Sequence, residues 1–276
     1  MKTDWKRKVD STNSDTEFSK LVCPLSAFDL TNKHIVVTGG GRGLGRGIAL
    51  SAALAGAKVT IISRSRDQLD ETVRLSAQYG GTCIAHPADL SDIDSIAGLV
   101  DQISTTQPID GVVHAAGVQV RRDSIDVTPQ DWEFVQTMNL QVPFFLSTRI
   151  AKAQIASGRS GSHIFIGSLN STIGLPRIAP YAASKTGLLG VARVFSTEWA
   201  RLGLRANVVA PGYFHTKMTE DLLADEAQHA RILGRIPAGR LGNPSDVAGV
   251  CIFLLSDASG YVSGQLINVD GGWLAS

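Results

Sequence analysis

Tyr181 and Lys185 stand four residues apart in Tyr181-Ala-Ala-Ser-Lys185, where a long helical pattern begins. Residues at that spacing lie on one helical face, so a phenol and an ammonium can serve one site. The pair suits a carbonyl that receives hydride and needs a proton donor beside the oxygen gathering charge. A free phenol titrates near pH ~10, too high for ready exchange at neutrality. A neighbouring ammonium favours the phenolate and is expected to lower that value. Ser168 closes an apolar run before the tyrosine and can donate a hydrogen bond to the same substrate oxygen. A Tyr-x-x-x-Lys by itself is ordinary helix surface, and its meaning depends on what stands upstream.

Upstream lies Thr38-Gly39-Gly40-Gly41-Arg42-Gly43-Leu44-Gly45, between an apolar run at 34–38 and a helical pattern at 45–55. Glycines at such a turn let the backbone approach a pyrophosphate, and the helix N-terminus offers free N–H groups to the anion. The placement reads as a dinucleotide site, with Gly39, Gly41, Arg42, Gly43, Leu44 and Gly45 nearest the phosphates. The next apolar run ends in Ser63-Arg64. A carboxylate there would read the ribose 2′-hydroxyl of NAD, whereas an arginine suits the 2′-phosphate of NADP. Arg42 can reach the same phosphate, and two cations without an acid favour NADP over NAD.

These groups need a scaffold, and its elements are legible. Strands are predicted at 34–38, 58–62, 83–86, 109–114, 163–167, 205–210 and 265–269. Helices are predicted at 45–55, 67–79, 91–104, 129–157, 181–202 and 244–256. Strands separated by helices need crossovers, which makes the sheet parallel with helices on both faces. The strand segments are apolar without alternation, as strands buried on both sides are. The expected fold is α/β: one Rossmann-type doubly wound parallel sheet of about seven strands, with residues 28–276 forming a single dinucleotide-binding catalytic domain. Residues 1–27 read as a mobile tail.

Composition narrows the function classes. The chain has 276 residues, 43% hydrophobic and 18% charged, as a soluble globular protein does. A net charge of +1 without a dense basic patch argues against nucleic acid as partner. The first 20 residues mix acids with lysines and contain no apolar run, so no targeting peptide is expected. No stretch suits a membrane span. Cys23, Cys83 and Cys251 are scattered, which argues against a disulfide scaffold and for a cytoplasmic setting. The histidines show no metal-ligand spacing, and no metal is expected.

Together these residues resemble the short-chain dehydrogenase/reductase family over about residues 28–276. Thr38 to Gly45 match its Thr-Gly-x-x-x-Gly-x-Gly loop, and Ser168, Tyr181 and Lys185 match its catalytic residues in order and separation. Further roles follow from the resemblance alone. It implies that Asn139 holds a water of a proton relay, that Asp89-Leu90 lie at the adenine, and that Ala116 and Gly117 permit close cofactor approach. Pro211-Gly212 and Thr216 match the segment that wraps the nicotinamide, and Val269-Asp270-Gly271-Gly272 match the C-terminal end. The implied mechanism passes hydride between nicotinamide and substrate carbon while Tyr181 transfers the proton. Ser168 orients the oxygen, and Lys185 binds the nicotinamide ribose. The implied assembly is a homotetramer. One departure is His114-Ala115-Ala116-Gly117, where the family has Asn-Asn-Ala-Gly. His114 is expected to be a core histidine with one hydrogen-bonded nitrogen.

Within the family, the last third is similar to sugar-acid enzymes such as gluconate 5-dehydrogenase and the 2-deoxy- and 2-dehydro-3-deoxy-gluconate dehydrogenases. Those carry basic residues after the Ala-Gly of the fourth-strand loop, where this chain has Arg121-Arg122. The match favours Arg121, whose guanidinium could hold a substrate carboxylate through paired hydrogen bonds; an exposed or interfacial arginine pair is the competing reading. The expected substrate is therefore a small sugar acid or polyol. A 3-oxoacyl-thioester reductase is the alternative within the family, and a non-catalytic dinucleotide-binding regulator the alternative outside it. Residues 216–236 are expected to form a helical lid over the substrate site.

Overall fold

The computed structural model describes residues 22–217, 219–220 and 224–276. Its strands are β1 (His34–Thr38), β2 (Lys58–Ser63), β3 (Thr82–Pro87), β4 (Gly111–His114), β5 (Gly161–Ile166), β6 (Leu204–Pro211) and β7 (Leu266–Val269). All pair in parallel, in the order β3-β2-β1-β4-β5-β6-β7. From β1 the chain first builds outward to β3, then returns to β4 on the other side. That reversal leaves a crevice beyond the carboxyl ends of β1 and β4, where open α/β sheets bind ligands.

The helices are α1 (Gly43–Leu54), α2 (Arg66–Gln78), α3 (Ile96–Ser104), α4 (Pro129–Gln136), α5 (Val142–Ala156), α6 (Ala179–Trp199), α7 (Glu226–Leu233) and α8 (Pro244–Leu255). Successive β1 side chains point to opposite faces. Ile35 and Val37 join Ile48 of α1 and Val247 of α8 in one core. Val36 joins Val100 of α3 and Leu146 of α5 in another. Phe165 and Val208 pack under Leu188 and Phe195 of α6. β1 is buried along its whole length, as its unalternating sequence requires.

The structure corrects one predicted element. The helix expected at 129–157 is not continuous: α4 and α5 are separated by a π-helical turn at Thr137–Gln141. Pro143 lacks the N–H that an α-helical register would bring to the carbonyl of Asn139. The Val142 N–H reaches back five residues to the Thr137 carbonyl instead. Asn139, at the centre of this turn, is fully buried. Such bulges recur at functional positions.

Of the expected tail, residues 1–21 lie outside the described residues. Leu25–Phe28 form one 3₁₀ turn, and Phe28 sits with its ring centroid 6.2 Å from that of Phe253. Of the expected lid, Met218 and residues 221–223 lie outside the described residues, while α7 supplies its helical part.

Candidate active site

The strand ends and following loops enclose a cleft of about 720 Å³ at the switch point. Gly39, Gly41, Arg42, Gly43, Leu44 and Gly45 line its floor, with Ser63, Arg64, Asp89 and Leu90 along one side. Ala116, Gly117 and Arg121 come from the β4 loop, Ser168, Tyr181 and Lys185 from β5 and α6, and Pro211, Gly212 and Thr216 from the end of β6. Asn139 does not line the cleft and sits behind it.

The glycine loop owes its shape to two close approaches. Gly39 has φ +69°, and a Cβ there would stand 2.8 Å from the Ala116 nitrogen. A Cβ on Gly45 would stand 2.3 Å from the Gly39 carbonyl oxygen. The neighbours are backbone and cannot yield, so only glycine fits. Arg46, which sequence reasoning did not single out, donates from Nη2 to the Gly41 and Gln68 carbonyls and from Nε to Thr72 Oγ1, holding the loop on α2. Arg42 is the N-cap of α1 and provides no side-chain cap. The first N–H groups of α1 therefore face the floor of the cleft unused by a cap, as a pyrophosphate requires. Arg42 and Arg64 are both exposed on the rim where a 2′-phosphate would lie. The donor set fits a dinucleotide bearing that phosphate. Asp89 is occupied locally: it accepts from the Ser91 N–H at 3.0 Å and hydroxyl at 2.8 Å, which hold its carboxyl below the usual carboxylate range.

Lys185 is buried and donates from Nζ to the Ile166 carbonyl at 2.7 Å. Burial brings its ammonium down to about 8. Its Nζ lies 5.5 Å from the Tyr181 ring centroid, so the two side chains share the site. The expected lowering of the phenol is not what this geometry yields. Burial pushes Tyr181 up from its ordinary value, and contact with the Ser168 hydroxyl and the charge of Arg121 only oppose that rise. Desolvation of the phenolate outweighs both.

Asn139 is clamped on both sides. Its Oδ1 accepts from the Val118 N–H at 2.8 Å, and its Nδ2 donates to the Val118 carbonyl at 2.9 Å and to Ser184 Oγ at 3.1 Å. The side chain thus fixes the β4 loop. A Cβ on Gly117 would sit 3.4 Å from Asn139 Oδ1 and 3.6 Å from Lys185 Nζ, which places Gly117 between them.

The two arginines after β4 separate. Arg122 ion-pairs with Asp131 at 3.3 Å and donates its backbone N–H to the Arg177 carbonyl, tying the loop to α4. Arg121 faces the cleft and places positive charge near both Tyr181 and Tyr213. Tyr213 packs against Trp273 with the rings tilted by 49° and their centroids 4.8 Å apart, and Arg235 lies over the Trp273 ring at 4.6 Å. Ile232 of α7 packs with Leu169, Ile236 and Trp273 beside this wall. His114 is fully buried, with Nε2 2.7 Å from Ser147 Oγ and Nδ1 without a partner.

Sequence reasoning passed over Ser184, which steadies Asn139, and Asn170, which follows Ser168 into the cleft wall. Ser184 faces Asn139 only because α6 crosses the π turn. The turn carried a signal, since a serine hydroxyl tends to accept from the backbone N–H two residues on, here that of Asn170. Among the described residues, no group of histidine, cysteine and acidic side chains could hold a metal, and no helix is long and apolar enough to cross a membrane.

Comparisons with known proteins agree with this geometry. A family model described as Enoyl-(Acyl carrier protein) reductase matches residues 39–274. The chain is 43% identical over 252 residues to 2-dehydro-3-deoxy-D-gluconate 5-dehydrogenase of Escherichia coli (strain K12), covering 91% of this chain and 99% of that one. A crystal structure of a gluconate 5-dehydrogenase from Burkholderia cenocepacia J2315 in complex with NADP and tartrate superposes with a TM-score of 0.87 at 34% identity, over 91% of this chain and 99% of that one. A short-chain type dehydrogenase/reductase from Mycobacterium marinum superposes with a TM-score of 0.86 at 31% identity over the same shares.

Proposed function

The chain belongs to the short-chain dehydrogenase/reductase family, and on that premise we propose that it is an NADP-dependent oxidoreductase interconverting a ketone and a secondary alcohol of a sugar acid. The observation that carries the substrate class is Arg121, a guanidinium on the cleft wall near Tyr181 while its neighbour Arg122 is tied to Asp131. A planar guanidinium beside the proton donor suits a carboxylate a few carbons from the reacting centre. The gluconate-type names of the relatives, and NADP in the Burkholderia cenocepacia structure, support the same reading. Three free cysteines support a reducing, cytoplasmic setting. Exposed Trp132 and Phe134 on α4, Phe145 on α5 and Val194 on α6 support helix-to-helix assembly, for which a homotetramer is the proposed form.

When bound, the nicotinamide supplies or accepts the hydride. The protein handles the proton and the position. Tyr181, held protonated by its buried surroundings, gives its proton to the substrate oxygen in the reduction direction. Ser168 donates a hydrogen bond to that oxygen as it gathers charge. Lys185 stands against Tyr181 and the Ile166 carbonyl, where it stabilises the phenolate left behind and can hold ribose hydroxyls. The Asn139 carbonyl, denied an α-helical donor by Pro143, is the inner post of a water path to Lys185.

A panel of sugar acids, neutral polyols and 3-oxoacyl thioesters, each with both cofactors, tests the function. Arg121→Ala should raise KM for a sugar acid by about tenfold or more while leaving KM for a neutral polyol nearly unchanged, since a charge-assisted pair is lost only with the acid. An unchanged KM for the acid, or preferred turnover of the thioester, removes the carboxylate assignment.

A further inference from the structure

Asn170 follows Ser168 by two residues in the 3₁₀ turn Leu169–Ser171 and is buried against the cleft wall. The turn is anchored on the catalytic helix: Ser171 Oγ donates to the Lys185 carbonyl at 2.9 Å, and Thr186 Oγ1 donates to the Asn170 carbonyl at 3.2 Å. Asn170 makes two contacts with one hydroxyl. Its backbone N–H donates to Ser168 Oγ at 3.2 Å, and its Oδ1 accepts from the same Oγ at 3.2 Å. Its Nδ2 is buried and has no partner.

A serine hydroxyl has one proton and two acceptor lone pairs. In the arrangement above, the Ser168 proton points at Asn170 and cannot serve a substrate oxygen. Turning the Asn170 amide by half a rotation brings Nδ2 to the place of Oδ1. Both Ser168 lone pairs then accept from Asn170, one from the backbone N–H and one from the amide, and the proton must point away from it, towards the side where Tyr181 and the substrate oxygen meet. The turn also gives the unpartnered amide a use, since a buried donor without an acceptor is costly while a lone carbonyl is tolerated better.

Building on the oxidoreductase reading, we infer that Asn170 is a positioning residue that turns Ser168 from a proton acceptor's neighbour into an obligate donor to the reacting oxygen. No new bond is made or broken covalently; the amide changes which of its two atoms faces Ser168, and the Ser168 hydrogen bond passes from Asn170 Oδ1 to the substrate.

The test compares Asn170→Asp with Asn170→Ala, using the best sugar acid and a neutral polyol found for the wild type. The aspartate side chain is nearly isosteric but only accepts when ionised, so it should keep the Ser168 proton for itself. Alanine removes both the donor and the competing acceptor. The expected order of kcat is therefore wild type, then Asn170→Ala about tenfold lower, then Asn170→Asp lower by about a further tenfold, the size of one misdirected hydrogen bond at each step. On the neutral polyol the same order should hold, so that charge repulsion of the acid appears separately in KM. The ratio of Asn170→Asp to wild-type kcat should rise as pH falls, because a protonated carboxyl regains a donor. NADPH binding by fluorescence and the melting midpoint monitor the fold. A purely structural asparagine gives the reverse, with the isosteric aspartate milder than alanine and no pH component, and that result overturns the inference alone. Should Asn170→Asp fail to fold, Asn170→Ala carries the test, and an unchanged kcat overturns the inference. A wild type that reduces no member of the substrate panel overturns the proposed function and this role with it.

Discussion

Individual side chains in this cleft hold protonation states that suit catalysis more than stability. Lys185 is the clearest case, with its ammonium buried against one carbonyl and its pKa brought from 10.5 down to about 8. Between those values the unfolded chain binds more protons than the folded one, so stability rises with pH across that window. Below about pH 8 the folded protein carries the full cost of the buried charge. Lys185→Met, which fits the same apolar stem, should therefore raise the melting midpoint at pH 7 by about 2–4 °C for each kcal/mol relieved while turnover is lost. The gain should shrink towards pH 10. Melts at both pH values check this, and a lower midpoint for the variant at pH 7 would show the ammonium to be stabilising.

Secondary elements decide what each of these side chains can reach. The end of β2 delivers Ser63-Arg64 to the rim opposite the start of α1, where Arg42 stands. Arg64→Asp should lower the ratio of kcat/KM with NADP to that with NAD by about tenfold or more, because a carboxylate repels the 2′-phosphate and accepts from the ribose hydroxyl. An unmoved ratio would leave the discrimination to Arg42 or to neither. The break between α4 and α5 acts at the same scale. Pro143 and the π register were within reach of the sequence, since a proline inside a helical pattern marks a kink or end. What the pattern did not specify was that the disturbance would fall on Asn139, four residues earlier.

Across the whole molecule, the sheet and its outer helices are pinned by a buried polar chain that behaves as a unit. His114 Nε2 meets Ser147 Oγ, which meets His163 Nδ1 at 3.1 Å, and His163 Nε2 meets Gln154 Oε1 at 3.0 Å. Gln154 Nε2 in turn donates to the Ile109 carbonyl at 2.9 Å, joining α5 to β4 and β5. Burial pushes both imidazoles down, His163 to about 3. Each stays neutral in the folded state while its unfolded counterpart takes up a proton near pH 6.5. Stability should then fall as pH drops below 6.5, with a slope approaching two protons. Urea midpoints at pH 7.5 and 5.0 measure it. His163→Gln should flatten the dependence, and a wild-type midpoint that does not change with pH would show that other groups cancel the pair.

The sequence alone determined the strand and helix order, the parallel sheet, the glycine turn and the Ser168, Tyr181, Lys185 set, because each is a local pattern: apolar runs, glycines that must admit a close backbone, and a four-residue helical spacing. It also showed that Arg64, and not a carboxylate, follows β2. Only the tertiary structure decided three further matters. Resemblance favoured Arg121 over its neighbour, but their physical separation depends on α4 bringing Asp131 to Arg122. Tyr181 was expected to have its phenol lowered by Lys185, but desolvation from surrounding elements reversed the sign. Asn170 shares an unremarkable Ser-Leu-Asn-Ser turn with Ser168, and the unpartnered amide nitrogen that gives it meaning exists only once α6 and the cleft wall close over it. Charge balance, burial and unmet hydrogen bonds are sums over groups distant in the chain, and no local spacing contains them.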